Sequence, residues 1–97
     1  MITVRIEHPA RNYYAWKQAF DRDPIGRKAS GVLRYRVYRS LTELSWVSVE
    51  LDLATRAEAE AVLAKLRALW AGPAAALISE PVGRLLEVVE ASSDSTL

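Results

Sequence analysis

Between Val32 and Leu53 apolar and polar residues alternate with little interruption, in the run VLRYRVYRSLTELSWVSVELDL. Successive residues of a strand point to opposite faces of a sheet. One face of this run therefore carries Leu33, Tyr35 and Val37, then Val47, Val49, Leu51 and Leu53. The other carries Arg34, Arg36 and Tyr38, then Trp46, Ser48, Glu50 and Asp52. The pattern predicts a β-hairpin that turns near Leu41-Thr42-Glu43. No Asn-Gly or Asp-Gly pair stands there, which favours a longer loop over a two-residue turn. A turn around Thr42 sets Tyr38 opposite Trp46, Arg36 opposite Ser48 and Arg34 opposite Glu50, a self-consistent set of cross-strand pairs.

The same period of two opens the chain. Ile2, Val4 and Ile6 alternate with Thr3, Arg5 and Glu7, and His8-Pro9 ends the strand because proline cannot donate to a ladder. The spacing then becomes helical. Tyr13, Trp16, Ala19 and Phe20 fall on one side and Lys17, Gln18 and Asp21 on the other, which predicts a helix from Tyr13 to about Arg22 with Asn12 as its N-cap. Asp23-Pro24-Ile25-Gly26 stops it. Thr55-Arg56-Ala57-Glu58 is a capping-box pattern, and it opens a helix from Arg56 to Ala71 with the apolar stripe Ala59, Val62, Leu63, Leu66, Leu69 and Trp70. Gly72-Pro73 ends that helix. Glu80-Pro81 introduces a last strand, Val82 to Glu90, whose parity stays open: either Leu85, Glu87 and Val89 or the alternate set faces the polar side.

The order β-α-β-β-α-β, with right-handed crossovers, places both helices on one face of a four-stranded antiparallel sheet in the spatial order 4-1-3-2. This is an α+β, ferredoxin-like arrangement. Residues 1–91 are expected to form one such domain, and 92–97, small and polar, a frayed tail. The uncovered face of the sheet carries Thr3, Arg5 and Glu7 beside the polar set of the hairpin. It is too aromatic for plain solvated surface and too charged for a core. Trp46 and Tyr38 on an open sheet predict that a second copy of the chain covers it, giving a homodimer.

Composition narrows the partners. The 97 residues suit one domain. Lysine plus arginine number 13 against 12 aspartates and glutamates, a balance that does not suit a nucleic-acid binder. No cysteine is present, so disulfides, thiolate nucleophiles and Cys-based metal sites are excluded, in keeping with a cytoplasmic location. MITVRIEH lacks the pattern of a signal peptide, and no apolar stretch approaches a bilayer span, so no membrane partner is expected. His8 is the only histidine, so one chain cannot build a two-histidine metal site. No metal and no cofactor is predicted.

The segments HPARNYYAWKQAFDRDPIGRKASGV, TRAEAEAVLAKLRALW and LLEVVE together resemble the dimeric α/β-barrel superfamily, and within it small proteins similar to the antibiotic biosynthesis monooxygenase domain. The resemblance spans almost the whole chain. Its most specific pieces are H-P-x-R-x-Y-x-x-W-K and the D-P-x-G-R…S-G-V loop. It implies that two ferredoxin-like chains pack sheet to sheet, with a pocket between sheet and helices in each. Members include cofactor-free oxygenases, haem-degrading oxygenases, polyketide cyclases and proteins without known activity, so the fold alone does not select a function. Haem-degrading members use a histidine on or just after the second helix, and Ala57 to Ser79 holds none. The resemblance therefore implies a cofactor-independent monooxygenase-like or cyclase-like enzyme acting on an aromatic or polyketide-type substrate. The alternative is a non-catalytic dimeric ligand-binding or accessory protein.

Candidate residues follow, each with a plainer reading. His8 and Tyr38 are the catalytic candidates. His8 suits a general base at a pocket mouth, or else a strand-end residue bonded locally. Arg34, Arg36, Trp46 and Glu50 suit a site for an aromatic or anionic ligand, or else a salt-bridge network inside the dimer. Tyr13 and Trp16 are further substrate-binding candidates. Trp16, Phe20 and Trp70 either line an apolar pocket or pack as core. Tyr13 and Tyr14 are adjacent and cannot both face the sheet. Arg27 and Lys28 beside Gly26 make a weak anion site, because their loop leads into a strand and not into a helix N-terminus.

Overall fold

The computed structural model describes residues 1–95 and Leu97. The expected tail includes Thr96, which lies outside the described residues. Six elements follow one another: β1 (Ile2–Pro9), α1 (Tyr13–Asp21), β2 (Arg34–Arg39), β3 (Trp46–Leu53), α2 (Arg56–Ala71) and β4 (Val82–Glu87). The sheet order is β2-β3-β1-β4, with every neighbouring pair antiparallel. This is the expected ferredoxin-like order.

The helix starts follow the side chains that cap them. Asn12 Oδ1 accepts from the Ala15 N–H at 3.1 Å and so satisfies one orphan donor of α1. At α2, Thr55 Oγ1 accepts from the Glu58 N–H at 3.2 Å, and its hydroxyl donates to Glu58 Oε1 at 3.0 Å. The glutamate thus closes the box on the threonine side chain.

Val4, Ile6, Val47, Val49, Leu51 and Leu53 make one face of the sheet, and Trp16, Ala59, Val62 and Leu63 pack on it in a single buried cluster. The parity of β4 is settled by its pairing with β1. Thr3 pairs with Leu86, Arg5 with Arg84 and Glu7 with Val82, so Val82, Arg84 and Leu86 share the open face while Gly83 and Leu85 face the helices. The strand ends at Glu87, short of the expected Glu90, because Ile2 is the last β1 residue it can pair with. One further bond, from the Val88 N–H to the Met1 carbonyl at 3.0 Å, closes that end.

The hairpin departs from the expected register by two residues. Arg34 pairs with Asp52, Arg36 with Glu50 and Tyr38 with Ser48. A shift of two keeps every side chain on its predicted face and changes only the partners. The cause lies in the loop. Ser40 Oγ accepts from the Glu43 N–H at 3.0 Å, Arg39 Nε donates to the Leu44 carbonyl at 2.7 Å, and the Trp46 N–H donates to the Glu43 carbonyl at 2.8 Å. These bonds hold Leu44 and Ser45 in the turn.

Candidate functional site

A cavity of about 280 Å³ lies between the two helices and the sheet. Ile6 and Val49 of the sheet, Trp16 and Phe20 of α1, and Leu66 and Trp70 of α2 give it apolar walls. Trp16 and Phe20 are one helical turn apart, so their rings stack at 5.4 Å and form one aromatic surface. Trp16, Phe20 and Trp70 all border this space, and they are equally part of the core: Trp16 belongs to the buried cluster and Phe20 and Trp70 pack against it.

His8 is the polar group set into this apolar wall from the sheet. It follows Ile2, Val4 and Ile6 in the alternation of β1, which turns it towards the helices, and it is only 2% exposed. Its ring meets Trp16 edge-on at 5.5 Å. Nδ1 lies 3.1 Å from the Pro9 carbonyl oxygen, which can only accept. Nδ1 therefore donates, and the neutral ring keeps its lone pair on Nε2. Among the described residues Nε2 has no protein hydrogen-bond partner, yet no buried polar side-chain atom is sealed off unpaired. Nε2 thus keeps access to open space, and His8 borders the cavity. Burial lowers the His8 pKa from 6.5, outweighing the opposing bond to Pro9, so the ring is an uncharged acceptor at neutral pH.

The opposite face of the sheet carries a second polar arrangement. Arg5 Nη2 donates to Glu50 Oε2 at 2.7 Å, and the Tyr38 hydroxyl donates to Glu50 Oε1 at 2.6 Å. Arg34 Nε donates to Asp52 Oδ2 at 2.6 Å, and the Thr3 hydroxyl to Asp52 Oδ1 at 2.6 Å. The expected Arg34–Glu50 pair is therefore replaced by two others, because the hairpin register is shifted and β1 supplies Arg5. The bond from Tyr38, followed by the bond and charge of Arg5, holds the Glu50 carboxyl below its ordinary pKa against the effect of burial. The same bond raises the Tyr38 phenol, which makes it a weaker acid. Burial opposes ionisation of Asp52, but the bonds from Thr3 and Arg34 outweigh it and the carboxyl is lowered. Arg36 places its guanidinium 5.2 Å from the centre of the Tyr38 ring.

The candidates divide between two faces. His8 and Trp16 meet at the cavity, whereas Tyr38, Arg34, Arg36 and Glu50 belong to the open face, so within a single chain His8 and Tyr38 lie on opposite sides of the sheet. Trp46, half-buried, begins β3 opposite Pro9. Tyr13 packs beside Trp16 at 6.1 Å without lining the cavity, and Tyr14 is 70% exposed. Arg39, on the helix side of β2, places its guanidinium 4.1 Å from the centre of the Tyr13 ring. Its parity is the signal for that side, since it follows Tyr35 and Val37 on the helix-side set. Arg27 borders the cavity, whereas Lys28 does not.

No family model and no curated protein matches the chain. Solved structures do. A Nitrosomonas europaea protein of unknown function superposes with a TM-score of 0.70 at 20% identity, over 95% of this chain and 92% of its own. A Deinococcus radiodurans protein provisionally named an antibiotic biosynthesis monooxygenase gives 0.68 at 14% identity, over 96% and 97%. A dimeric ferredoxin-like protein from an uncultured marine organism gives 0.64 at 16% identity, over 94% and 97%. Likeness at such low identity speaks to architecture alone, and what this chain shares with these proteins is the ferredoxin-like fold.

Proposed function

We propose that the chain binds a small aromatic molecule in the cavity between helices and sheet, and that His8 acts there as a base on a hydroxyl of that molecule. The observation that carries this reading is the His8 ring: Nδ1 is pinned to the Pro9 carbonyl, and Nε2 is left as an unpartnered acceptor at the edge of an apolar space. A phenolic or enolic hydroxyl donating to Nε2 would pass its proton to the ring and leave an electron-rich oxyanion. That species is the usual starting point for cofactor-independent oxygenation or for ring closure. A neutral imidazole is the form such a step requires. A solved structure of the same fold carries a monooxygenase name, which supports the class of reaction without specifying it.

A second reading is a binding protein without turnover. It is favoured by the position of Tyr38, which leaves His8 without a phenol from this chain to act as its acid partner. In both readings the chain works as a homodimer, with the open face carrying Trp46, Tyr38, Val82 and Leu86 laid against its copy. The likeness to a protein described as dimeric supports this assembly.

The test is aerobic incubation of purified protein with substituted phenols and naphthols, beside light scattering at micromolar concentration. Turnover that is lost in His8→Gln while ligand binding persists supports the enzyme. Binding without turnover in the wild type supports the carrier. Absence of binding to every aromatic tried defeats both, and a monomer in light scattering defeats the dimer.

A further inference from the structure

The rim of the cavity holds a cation whose hydrogen-bonding capacity is only partly used. Arg27 borders both the cavity and a surface groove that runs past Lys28, Gly31 and Tyr35. Its guanidinium carbon lies 4.2 Å from the centre of the Phe20 ring and 4.5 Å from that of Tyr35, and the two rings meet edge-to-face, so the group rests in the corner they form. Nη1 donates to the Phe20 carbonyl at 3.1 Å. Nε lies 3.3 Å from Asp23 Oδ1, and that same oxygen accepts the Arg27 backbone N–H at 2.9 Å. That oxygen accepts a hydrogen bond from the Arg27 backbone and faces the guanidinium only as an ion-pair partner.

A guanidinium carries five N–H donors. Among the described residues Nη2 has no acceptor, and it is not sealed away, although the side chain as a whole is only 15% exposed. Its two donors are therefore unused, on a residue that borders both the cavity and the groove. The charge around it is unbalanced. Arg22 also borders the cavity and Lys28 the groove, while Asp23 is the one acidic residue lining either space among the described residues.

From this geometry we propose that the ligand is an aromatic acid: Arg27 Nη2 holds its carboxylate at the rim, its ring lies against Trp16 and Phe20, and its hydroxyl faces His8. The inference rests on the reading of the cavity given above and adds the acid group to it. A carboxylate drawn to the edge of an apolar space needs a charged, multiply donating partner to offset its lost hydration. A guanidinium already packed against two rings and bonded to the Phe20 carbonyl loses little further freedom on binding it. A cavity just under the usual range for drug-sized ligands suits one or two rings.

The test is calorimetric titration of the purified protein at neutral pH with 6-hydroxy-2-naphthoate, its carboxamide and 2-naphthol. The acid and the amide share a shape and differ in charge. The acid should bind about tenfold or more tightly than the amide, the ratio expected of a hydrogen bond to a charged group. Arg27→Gln should abolish that preference, read as the ratio of acid to amide affinity within the variant, and Arg27→Lys should retain part of it. Equal binding of acid and amide by the wild type overturns the inference while the cavity reading stands. Binding of none of the three overturns the cavity reading and this inference together. The wild-type ratio decides the matter even if Arg27→Gln does not fold.

Discussion

Tyr38 reaches diagonally across the hairpin. Its hydroxyl donates to Glu50 Oε1 at 2.6 Å, two residues along β3 from Ser48, its direct partner. Arg5 takes the other oxygen through Nε at 3.0 Å and Nη2 at 2.7 Å. One carboxylate therefore ties β2, β3 and β1. Asp52 repeats the device one step along the open face, with Thr3 from β1 and Arg34 from β2. The two groups share no member.

That separation makes a prediction for double-mutant cycles. Arg5→Met with Glu50→Gln, and Arg34→Met with Asp52→Asn, should each show a coupling of at least about 0.5–1 kcal/mol, the upper part of the range for partly exposed ion pairs, and more where a second copy buries them. Arg34→Met with Glu50→Gln should be additive to within about 0.5 kcal/mol, because the two residues have no common partner. Urea midpoints at fixed protein concentration give all three values. Strong coupling between Arg34 and Glu50 would contradict the hairpin register.

The contrast between these pairs shows what a sequence can carry. Alternation assigned faces correctly from Ile2 to Leu53, since burial of one face enforces a period of two. It could not assign partners, because a two-residue slip leaves every face intact and the Ser40 loop bonds that select the register have no strong sequence signature. Arg5 was visible as a residue of the open face, but its pairing with Glu50 depends on the stagger of β1 against β3, which no local pattern encodes. The cavity was half legible. Trp16, Phe20 and Trp70 stood at helical spacing, which fits core and pocket wall equally, and only the packing of α1, α2 and the loop leaves the space open. His8 was noticed for its chemistry. That Nε2 is the free nitrogen follows from the Pro9 carbonyl, a backbone group that sequence leaves unplaced.

Gly83 shows a tighter constraint between β4 and α2. A Cβ built there would lie 2.5 Å from Leu63 Cδ1 and 3.2 Å from Trp70 Cη2. Leu63 is buried, so its side chain has little room to yield. Gly83→Val should destabilise by about 1–3 kcal/mol through overpacking, despite the better strand propensity of valine. Leu63→Ala in that background should cost less than in the wild type, because the contact it relieves exists only in the variant. Trp70 also lines the cavity, so the displacement should weaken binding of aromatic ligands. Thermal unfolding and ligand titration check the two effects separately, and an unchanged midpoint would mean that β4 sits further from α2.

His8 makes a prediction in pH. Burial lowers its pKa from 6.5 in the folded protein, while the unfolded chain titrates near that ordinary value. Between the lowered pKa and 6.5 the unfolded chain holds a proton that the folded chain does not. Stability should therefore be independent of this group above pH 6.5 and fall as pH drops below it, with a slope of at most about 1.4 kcal/mol per pH unit. The lowered carboxyls Glu50 and Asp52 lose their stabilisation only as pH falls below their own ordinary values of 4.5 and 3.8, so the two ranges separate. His8→Gln should flatten the slope between pH 6.5 and 5, whatever it does to the stability at pH 7. The same proton governs binding, since a ligand hydroxyl needs Nε2 as an acceptor and protonation removes it. Affinity for 2-naphthol should stay level between pH 6.5 and the lowered pKa of the folded ring and weaken only as pH falls below that pKa, and it should show no such loss in His8→Gln. Denaturant titrations at half-unit pH steps, run beside 2-naphthol binding, give both curves. A wild-type slope that survives the substitution would place its origin elsewhere, and an affinity that ignores pH would remove Nε2 from the site.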